Sequence, residues 1–261
     1  LAEVGAQLQD LVTQQGVRAM QYGSGQGEPF LREQIIEVMA LEGIDGHPDD
    51  VTITVGSQQG LDLITKIFCD PGDVILAEAP SYVGALGTFA SYQTEVVHVA
   101  IDENGLQPEA LRQAVHTLRA QGRTPKFLYT VPNFNNPAGV LMSMERRRQV
   151  VEVARECDIL IVEDNPYGLL NLDSDPVPAL RSLDAENVLY LGSFSKTFAP
   201  GFRVGWVLAP HAVRERLTIA QEAAVLSPPV FSQFAIANYL DNFDWRGQIA
   251  TFRSMYQARR D

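Results

Sequence analysis

Hydrophobic and polar positions follow two spacings along this chain, and each spacing predicts a different secondary structure. Apolar residues recur every three or four positions over residues 1–20 and 30–41, which predicts amphipathic helices. The intervening glycine-rich segment QYGSGQGEP predicts a loop. From residue 51 onward, short apolar runs alternate with segments of helical spacing. The runs predict strands at 51–55, 74–78, 95–99, 126–130, 159–162, 188–191 and 204–208. The segments predict one helix that ends at residue 68 and further helices at 82–91, 108–120, 143–157, 211–222, 231–240 and 245–258.

Strands and helices in alternation predict an α/β fold, a three-layer sandwich whose mostly parallel central sheet carries helices on both faces. Such sheets bind ligands at the carboxyl ends of their strands. Three predicted strands are followed there by polar segments, EAPSY (78–82), NFNNPAG (133–139) and EDNPY (163–167). Each segment is typical of an ordinary Asx, proline or glycine turn. Their common edge is what indicates a binding site.

The segment 188–206, VLYLGSFSKTFAPGFRVGW, places a lysine in a serine-rich turn after a short buried strand. Ser193 and Ser195 precede Lys196 closely, and Arg203 follows seven positions later. Hydroxyls and a guanidinium bind phosphate oxygens, and a desolvated lysine amine forms imines with carbonyls. The chain holds two other lysines, Lys66 and Lys126, and their contexts predict solvated side chains. The segment therefore predicts a site for a phosphate beside a reactive carbonyl.

Asp164 follows the apolar run ILIV, so its carboxylate is expected at the mouth of a buried sheet, where an ionised acid needs a cationic partner. A protonated ring nitrogen would be such a partner. Strand alternation sends Glu163 and Asp164 to opposite faces, and the sequence leaves open which of them faces the site. Asn136 and Tyr167 offer an amide and a phenol to a phenolate oxygen. Tyr82 suits either stacking on a flat ring or packing in the core.

The glycine-serine turn at 56–60, GSQQG, lies between a predicted strand and a predicted helix. The unpaired amide groups of a helix N-terminus bind anions. Ser57 as an ordinary helix N-cap explains the same pattern equally well.

Composition and charge narrow the classes of protein that fit. A formal net charge of −12 and no visible basic stripe argue against a nucleic-acid surface. No apolar run approaches the roughly 20 residues of a membrane span, and no secretory signal opens the chain. Cys69 and Cys157 lack metal-ligand spacing, which predicts buried free thiols and no metal site. Together these features predict a cytoplasmic protein that interacts with neither membranes nor nucleic acids.

Six motifs, GSQQ, APSY, NNPAG, DNPY, SFSK and GFRVGW, occur in this order. With them the chain resembles the fold-type-I pyridoxal-phosphate aminotransferases of class I/II, in particular the branch of 2-aminoadipate, kynurenine and multisubstrate aminotransferases. The resemblance covers roughly residues 22–206. It implies pyridoxal 5′-phosphate as the cofactor and an aspartate-aminotransferase-like large domain as the fold.

The resemblance also implies roles for individual residues. Lys196 would form the imine with the cofactor and move the proton of the substrate Cα, and Asp164 would pair with the pyridine nitrogen. Asn136 and Tyr167 would bond the 3-oxygen of the ring, and Tyr82 would stack on its face. The implied catalytic residues are Lys196, Asp164 and Tyr167. The implied phosphate-binding residues are Ser57, Gln58, Ser193, Ser195 and Arg203.

The domain organisation follows from the same resemblance. Residues 1–24 are expected to form an N-terminal segment and dimer-contact arm, and residues 25–261 the large cofactor-binding domain. The small domain of such enzymes, which carries the arginine that binds the substrate α-carboxylate, is expected to be largely missing from a chain truncated at both ends. A homodimer is expected, in which Tyr22 reaches the phosphate of the neighbouring subunit.

Three functions are compatible with the sequence. The first is amino transfer between an amino acid, aminoadipate-like, aromatic or aliphatic, and a 2-oxo acid such as 2-oxoglutarate. The second is the effector-sensing domain of a bacterial transcription regulator, a class that carries a similar domain behind a winged helix. The third is a catalytically incomplete fragment.

Overall fold

The computed structural model describes residues 2–172 and 175–260 of the chain. The helices are α1 (Ala2–Ala19), α2 (Pro29–Ala40), α3 (Gly56–Phe68), α4 (Val83–Ser91), α5 (Pro108–Ala120), α6 (Met144–Glu156), α7 (Leu180–Leu183), α8 (His211–Val225), α9 (Val230–Asn242) and α10 (Trp245–Arg260). The strands are β1 (Val51–Thr54), β2 (Val74–Ala79), β3 (Glu95–Asp102), β4 (Gly105–Leu106), β5 (Pro125–Thr130), β6 (Leu160–Asp164), β7 (Val188–Ser193) and β8 (Gly205–Leu208). Most predicted boundaries lie within two residues of these.

The eight strands form one sheet in the order β1-β8-β7-β6-β5-β2-β3-β4. Strands β3, β2, β5, β6 and β7 run parallel to one another, and β8 runs antiparallel to both of its neighbours. Residues 194–204, which join β7 to β8, contain no α-helix, and a parallel connection normally needs such a crossover element. The prediction of an α/β fold with a mostly parallel sheet is confirmed.

Alternation along the strands gives the sheet two buried faces. Ile75 and Ala77 of β2 pack with α3, α4 and α8 on one face. Val74 and Leu76 of the same strand pack with α5, α6 and α7 on the other. Helices α2, α9 and α10 cover the β1–β8 end of the sheet in a further apolar cluster. The chain therefore forms the three layers expected from its sequence.

Two short elements lie outside the prediction. Strand β3 continues beyond Val99 to Asp102, and β4 returns beside it as an antiparallel pair of two residues. Helix α7 has four residues. Elements this short leave no hydrophobic period in the sequence, so only the tertiary structure defines them.

Buried polar side chains fix the loops that follow β5 and β6. Arg147 of α6 is fully buried, and it donates to the carbonyl oxygens of Met142 and Pro178 at 3.0 Å each and to Asn133 Oδ1 at 2.6 Å. Asn133 Nδ2 in turn donates to Asn165 Oδ1 at 2.8 Å. One arginine thus ties both loops to the helix layer.

The same chain of hydrogen bonds continues to the segment after α2. Asn165 Nδ2 donates to Glu42 Oε1 at 2.6 Å, and the Tyr190 hydroxyl donates to Glu42 Oε2 at 2.7 Å. Burial raises the pKa of the Glu42 carboxyl to about 7. Since all of these groups are buried and paired, the strand-end loops have little freedom to move independently.

Within the described residues, no helix has both the length and the apolar character needed to cross a bilayer.

Replacing Arg147 by Met is expected to lower the free energy of unfolding by about 3 kcal/mol or more, because it leaves several buried acceptors without a donor. Urea unfolding followed by circular dichroism measures this change. Arg148→Met is the matched control, since the neighbouring side chain is 63% exposed and makes only an ion pair at 3.8 Å with Glu145. The control is expected to change stability by less than about 0.5 kcal/mol. Equal losses in the two variants would contradict the role assigned to Arg147.

Candidate active site

A cavity of about 340 Å³ opens at the carboxyl edge of the parallel strands. Asp164 ends β6, Ser193 ends β7, and Ser57 lies in the first turn of α3, so the fold brings distant segments to one place. The cavity is lined by Ser57, Gln58, Tyr82, Val131, Asn136, Asp164, Pro166, Tyr167, Ser193, Ser195, Lys196, Pro200 and Arg203. Ten of the eleven residues predicted for the site are in this list. The exception is Tyr22.

The lysine turn is closed by its two serines. The Ser195 backbone N–H donates to Ser193 Oγ at 3.0 Å, and the Ser193 hydroxyl donates to Ser195 Oγ at 2.8 Å. Lys196 Nζ lies 5.9 Å from the centre of the Tyr167 ring. Of the three lysines, Lys196 alone lines the cavity; Lys66 is exposed, and Lys126 pairs with Asp73 at 3.1 Å. The turn therefore presents one amine and two hydroxyls to the same space.

Lys196 is exposed at the cavity mouth, whereas the sequence interpretation invoked a desolvated amine. The expectation of a desolvated amine at Lys196 is therefore wrong for the single chain.

A positive group lies beside the N-terminus of α3. Arg203 adopts a left-handed backbone conformation (φ 53°), and its Nη2 donates to the Val55 carbonyl oxygen at 3.2 Å. Gly56 has φ +75°, and a Cβ atom there would lie 2.4 Å from the same Nη2. Glycine therefore lets the guanidinium approach the unpaired amides of the helix, where an anion is favoured by both the dipole and the charge.

Ser57 is not the N-cap of α3, which was one of the two alternatives that the sequence left open. The N-cap position of α3 is occupied by Val55, without a side-chain hydrogen bond. Ser57 instead lies within the first turn and lines the cavity. A Cβ at Gly205 would lie 2.4 Å from the Ser57 nitrogen, so this glycine allows β8 to pack directly under the start of the helix. The anion-site interpretation is the one that the geometry supports.

Gln58 of α3 and Tyr82 at the start of α4 line one side of the cavity. Gln58 Nε2 donates to the Gly84 carbonyl oxygen at 3.2 Å and to Thr88 Oγ1 at 2.7 Å, which ties the two helices together. Tyr82 occupies the N-cap position of α4 and is partly buried against the core while it lines the cavity. Packing against the core thus describes part of the environment of Tyr82, and its stacking on a flat ring stays a prediction.

Strand alternation separates Glu163 from Asp164 and answers the question that the sequence left open. Glu163 points into the helix layer, where its carboxylate accepts from the backbone N–H groups of Leu180 and Arg181 at 2.9 and 2.8 Å. Asp164 points into the cavity. Asp164 is therefore the acid of the site, and Glu163 is a structural acid that holds α7.

One carboxylate oxygen of Asp164 accepts a hydrogen bond and the other does not. The Tyr129 hydroxyl donates to Asp164 Oδ2 at 2.7 Å. Oδ1 is buried and has no hydrogen-bond partner among the described residues. Burial raises the pKa of the Asp164 carboxyl to about 6, and the bond from Tyr129 acts in the opposite direction. The unpaired oxygen thus calls for a cation or a hydrogen-bond donor from within the cavity.

Glu78 is a further buried acid next to the site, and the sequence analysis gave it no role. It accepts from Thr130 Oγ1 at 2.6 Å, from the Val131 N–H at 3.0 Å and from Asn135 Nδ2 at 2.6 Å. These bonds hold the loop that carries Asn136 against the end of β2. Glu78 directly follows the apolar run VILA just as Glu163 directly follows ILIV, and this shared signal would have identified it as a buried acid at a strand end.

Tyr22 is 81% exposed and does not line the cavity. Its expected contact is with a second subunit, so its role stays a prediction.

The whole chain, residues 1–261, matches the family described as aminotransferase class I and II. The aromatic-amino-acid aminotransferase 1 of Thermococcus litoralis is 39% identical over 99% of this chain. The HTH-type transcriptional regulator YisV of Bacillus subtilis, whose function is uncharacterized, is 32% identical over 94% of this chain and half of its own length. The chain spans 62% of the length of the Thermococcus enzyme.

Solved structures agree with the sequence relatives. A kynurenine aminotransferase of Pyrococcus horikoshii in complex with PMP superposes with a TM-score of 0.94 at 36% identity, over all of this chain and 65% of the other. The α-aminoadipate aminotransferase LysN of Thermus thermophilus, complexed with N-(5′-phosphopyridoxyl)-L-leucine, gives 0.91 at 31% identity over 98% and 64% of the two chains. An aspartate aminotransferase of Thermus thermophilus gives 0.89 at 25% identity over all of this chain and 67% of the other, so the fold is aspartate-aminotransferase-like.

The raised pKa of Asp164 predicts a pH-dependent cost of ionisation in the ligand-free protein. A carboxyl with a higher pKa in the folded state is protonated more readily there. Asp164 therefore costs no stability below about pH 4, and it lowers the free energy of unfolding as the pH rises through about 6. Asp164→Asn removes this loss. The free energy of unfolding of the variant, relative to the parent, is therefore expected to increase by about 3 kcal/mol between pH 4 and pH 7.

Denaturant unfolding at several pH values measures this difference. Asp45→Asn, at an exposed aspartate, serves as the control and is expected to show no such trend. A difference between Asp164→Asn and the parent that stays constant with pH would contradict the buried, unpaired state of this carboxyl.

Proposed function

Because this chain belongs to the class I and II aminotransferases, we propose that it transfers an amino group between an amino acid and a 2-oxo acid with pyridoxal 5′-phosphate as cofactor. One observation carries the proposal. The buried, unpaired Oδ1 of Asp164 and the amine of Lys196 line the same cavity, and a serine and arginine cluster lines another part of it. A flat ring with a protonated nitrogen, an aldehyde and a phosphate matches all three features.

The residues present fit this cofactor. Asp164 Oδ1 needs the cation that a pyridinium nitrogen supplies, and Lys196 is the one lysine at the cavity. Asn136 and Tyr167 line the wall and would bind the ring oxygen, while Tyr82 would stack on the ring. The phosphate would be held by Ser57, Ser193, Ser195, Arg203 and the first-turn amides of α3, including that of Gln58. The Gln58 side chain is engaged with α4, which leaves its backbone amide for the anion.

When bound, pyridoxal phosphate supplies an aldehyde that condenses with amines and a ring that accepts electrons from the substrate Cα. Lys196 would hold the cofactor covalently, and its amine would accept the proton of the substrate Cα. Asp164 would keep the ring nitrogen protonated, because a buried negative charge beside that nitrogen favours its positive form. Tyr167, whose pKa is raised by burial, stays protonated as a hydrogen-bond donor to the ring oxygen. Arg203 and the serines hold the phosphate end in place.

The relatives support a proposal for the substrates. The Thermococcus enzyme is an aromatic-amino-acid aminotransferase, and the Thermus structure is an α-aminoadipate aminotransferase. We therefore place aromatic and aminoadipate-like amino acids first among the amino donors, ahead of aliphatic ones, with 2-oxoglutarate as acceptor. Burial of both free cysteines suits a reducing compartment such as the cytoplasm.

A homodimer completes the proposal. Val17, Met20 and Tyr22 are 90%, 68% and 81% exposed near the end of α1, a concentration of large apolar side chains that suits a partner subunit. In such a dimer, Tyr22 would reach toward the phosphate of the neighbouring subunit. Residues 1–24 then act as the dimer-contact arm, and residues 25–261 as the large domain.

The resemblance to YisV supports a second candidate, in which the same cavity binds the cofactor and senses an effector without turnover. The two functions differ in one measurable property, the consumption of an amino acid and a 2-oxo acid. A catalytically incomplete chain would likewise bind the cofactor without turnover.

Lys196→Ala is expected to abolish both the visible absorbance of the covalently bound cofactor and amino transfer, because no other lysine lines the cavity. Absorbance spectra before and after adding a panel of aromatic, aminoadipate-like and aliphatic amino acids, together with borohydride reduction and peptide mass spectrometry, measure this. Lys126→Ala is the control and should behave as the parent. Trapped cofactor on Lys66 or Lys126 would refute the site, and a parent that binds cofactor without reacting with any amino acid would favour the sensing function.

Mixing two variants that are each expected to lose activity, Tyr22→Ala and Lys196→Ala, tests the role of Tyr22. In a dimer formed from Tyr22→Ala and Lys196→Ala subunits, one site combines an intact lysine with an intact tyrosine from its neighbour. Activity after mixing and subunit exchange is therefore expected to exceed that of either variant alone, up to about half the parental activity per mixed dimer. No recovery from a mixture that light scattering shows to be dimeric would mean that Tyr22 does not act across subunits.

A further inference from the structure

Tyr129 lies behind the cavity and contacts its acid. Strands β5 and β6 pair in parallel with Tyr129 opposite Val162, so Asp164 is the next residue of β6 on the same face. The tyrosine is fully buried and does not line the cavity, yet its hydroxyl donates to Asp164 Oδ2 at 2.7 Å. The acid of the site therefore has one oxygen bonded to the protein interior and one facing the ligand space.

We propose that Tyr129 is a positioning residue, which fixes the Asp164 carboxylate so that Oδ1 is presented to the ring nitrogen of the cofactor. This inference rests on the proposed function, since it concerns the same site and the same cofactor.

The torsion of an aspartate carboxylate is broad and nearly two-fold, so an unrestrained group presents either oxygen at varying angles. A hydrogen bond to Oδ2 removes that freedom and leaves the lone pairs of Oδ1 in one direction. Because Oδ1 has no other partner among the described residues, no competing contact turns it away from the cavity. Orientation by a buried donor of this kind is what a preorganised site requires.

The position of the hydroxyl is itself fixed by packing. The Tyr129 ring meets the Phe89 ring edge to face, with centres 5.6 Å apart and planes at 78°. Phe89 and Tyr129 both belong to the apolar cluster between the sheet and α3, α4 and α8. Burial beside Asp164 raises the pKa of the Tyr129 phenol well above its ordinary value, so the hydroxyl remains a donor.

A second tyrosine of the sheet provides a matched comparison. Tyr190 of β7 is also almost fully buried and also donates to a buried carboxylate at 2.7 Å, Glu42 Oε2. The other oxygen of Glu42 accepts from Asn165, and Glu42 does not line the cavity. Loss of the Tyr190 hydroxyl therefore has a structural consequence of the same kind without changing the acid of the site.

The first experiment is a double-mutant cycle in the ligand-free protein, with Tyr129→Phe, Asp164→Asn and the double variant unfolded in urea at pH 8. A bond to an ionised carboxylate is expected to give a coupling of roughly tenfold or more in the unfolding equilibrium constant. At pH 4, where Asp164 is protonated, the coupling is expected to shrink. Additive single effects at pH 8 would overturn the proposed bond.

The second experiment compares binding of pyridoxal 5′-phosphate with binding of its 1-deaza analogue, in which carbon replaces the ring nitrogen. The parent is expected to prefer the nitrogen-containing compound. Tyr129→Phe is expected to reduce that preference about tenfold, mainly through weaker binding of pyridoxal phosphate. Tyr190→Phe should lose similar stability and keep the parental preference, because a general loss of rigidity does not distinguish the two ligands.

The outcomes separate this inference from the function on which it rests. If Tyr129→Phe keeps the full preference, or Tyr190→Phe loses it equally, Tyr129 is a structural residue only and the inference fails while cofactor binding stands. If the parent binds neither compound, the proposed function fails, and the cycle in the ligand-free protein still decides whether Tyr129 holds Asp164.

Discussion

A buried carboxylate with one unsatisfied oxygen is the constraint on which the site of this protein depends. Asp164 ends a central strand, and burial raises the pKa of its carboxyl to about 6, so its ionisation at neutral pH lowers the stability of the fold until a positive group binds to Oδ1. No described side chain is such a group. The protein therefore carries a site whose acid is completed by a ligand, and the identity of that ligand follows from what else lines the cavity.

The fold holds this arrangement in place from two sides. Beneath the cavity, buried hydrogen bonds connect Arg147, Asn133, Asn165 and Glu42, and they fix the loops that follow β5 and β6. On the other side, glycines at positions 56 and 205 let α3, β8 and Arg203 approach each other closely. The lysine turn, closed by Ser193 and Ser195, is the part nearest to solvent. Rigid groups would thus hold the ring and phosphate of the proposed cofactor, and the amine proposed to bond to it lies in the accessible region.

The sequence predicted the layers, the succession of strands and helices along the chain, and ten of the cavity residues. Apolar periodicity and strand-end turns are local signals, so a single sequence contains them. It did not decide between Glu163 and Asp164, since their opposite orientations depend on which face of the sheet the cavity occupies. Tyr129 gave no signal because an aromatic residue in a buried strand has the same pattern whether or not its hydroxyl contacts an acid. The exposure of Lys196 depends on the folded chain around it, and the role proposed for Tyr22 depends on a second subunit, so no local pattern in the sequence encodes either.

The central claim, that Asp164 keeps the ring nitrogen of pyridoxal phosphate protonated, is tested most directly by nitrogen NMR of the protein loaded with cofactor labelled at the ring nitrogen. The account predicts the chemical shift of a protonated pyridinium nitrogen in the parent at pH 8, and that of a neutral pyridine nitrogen in Asp164→Asn. A neutral nitrogen in the parent, or a protonated nitrogen in both proteins, would contradict it.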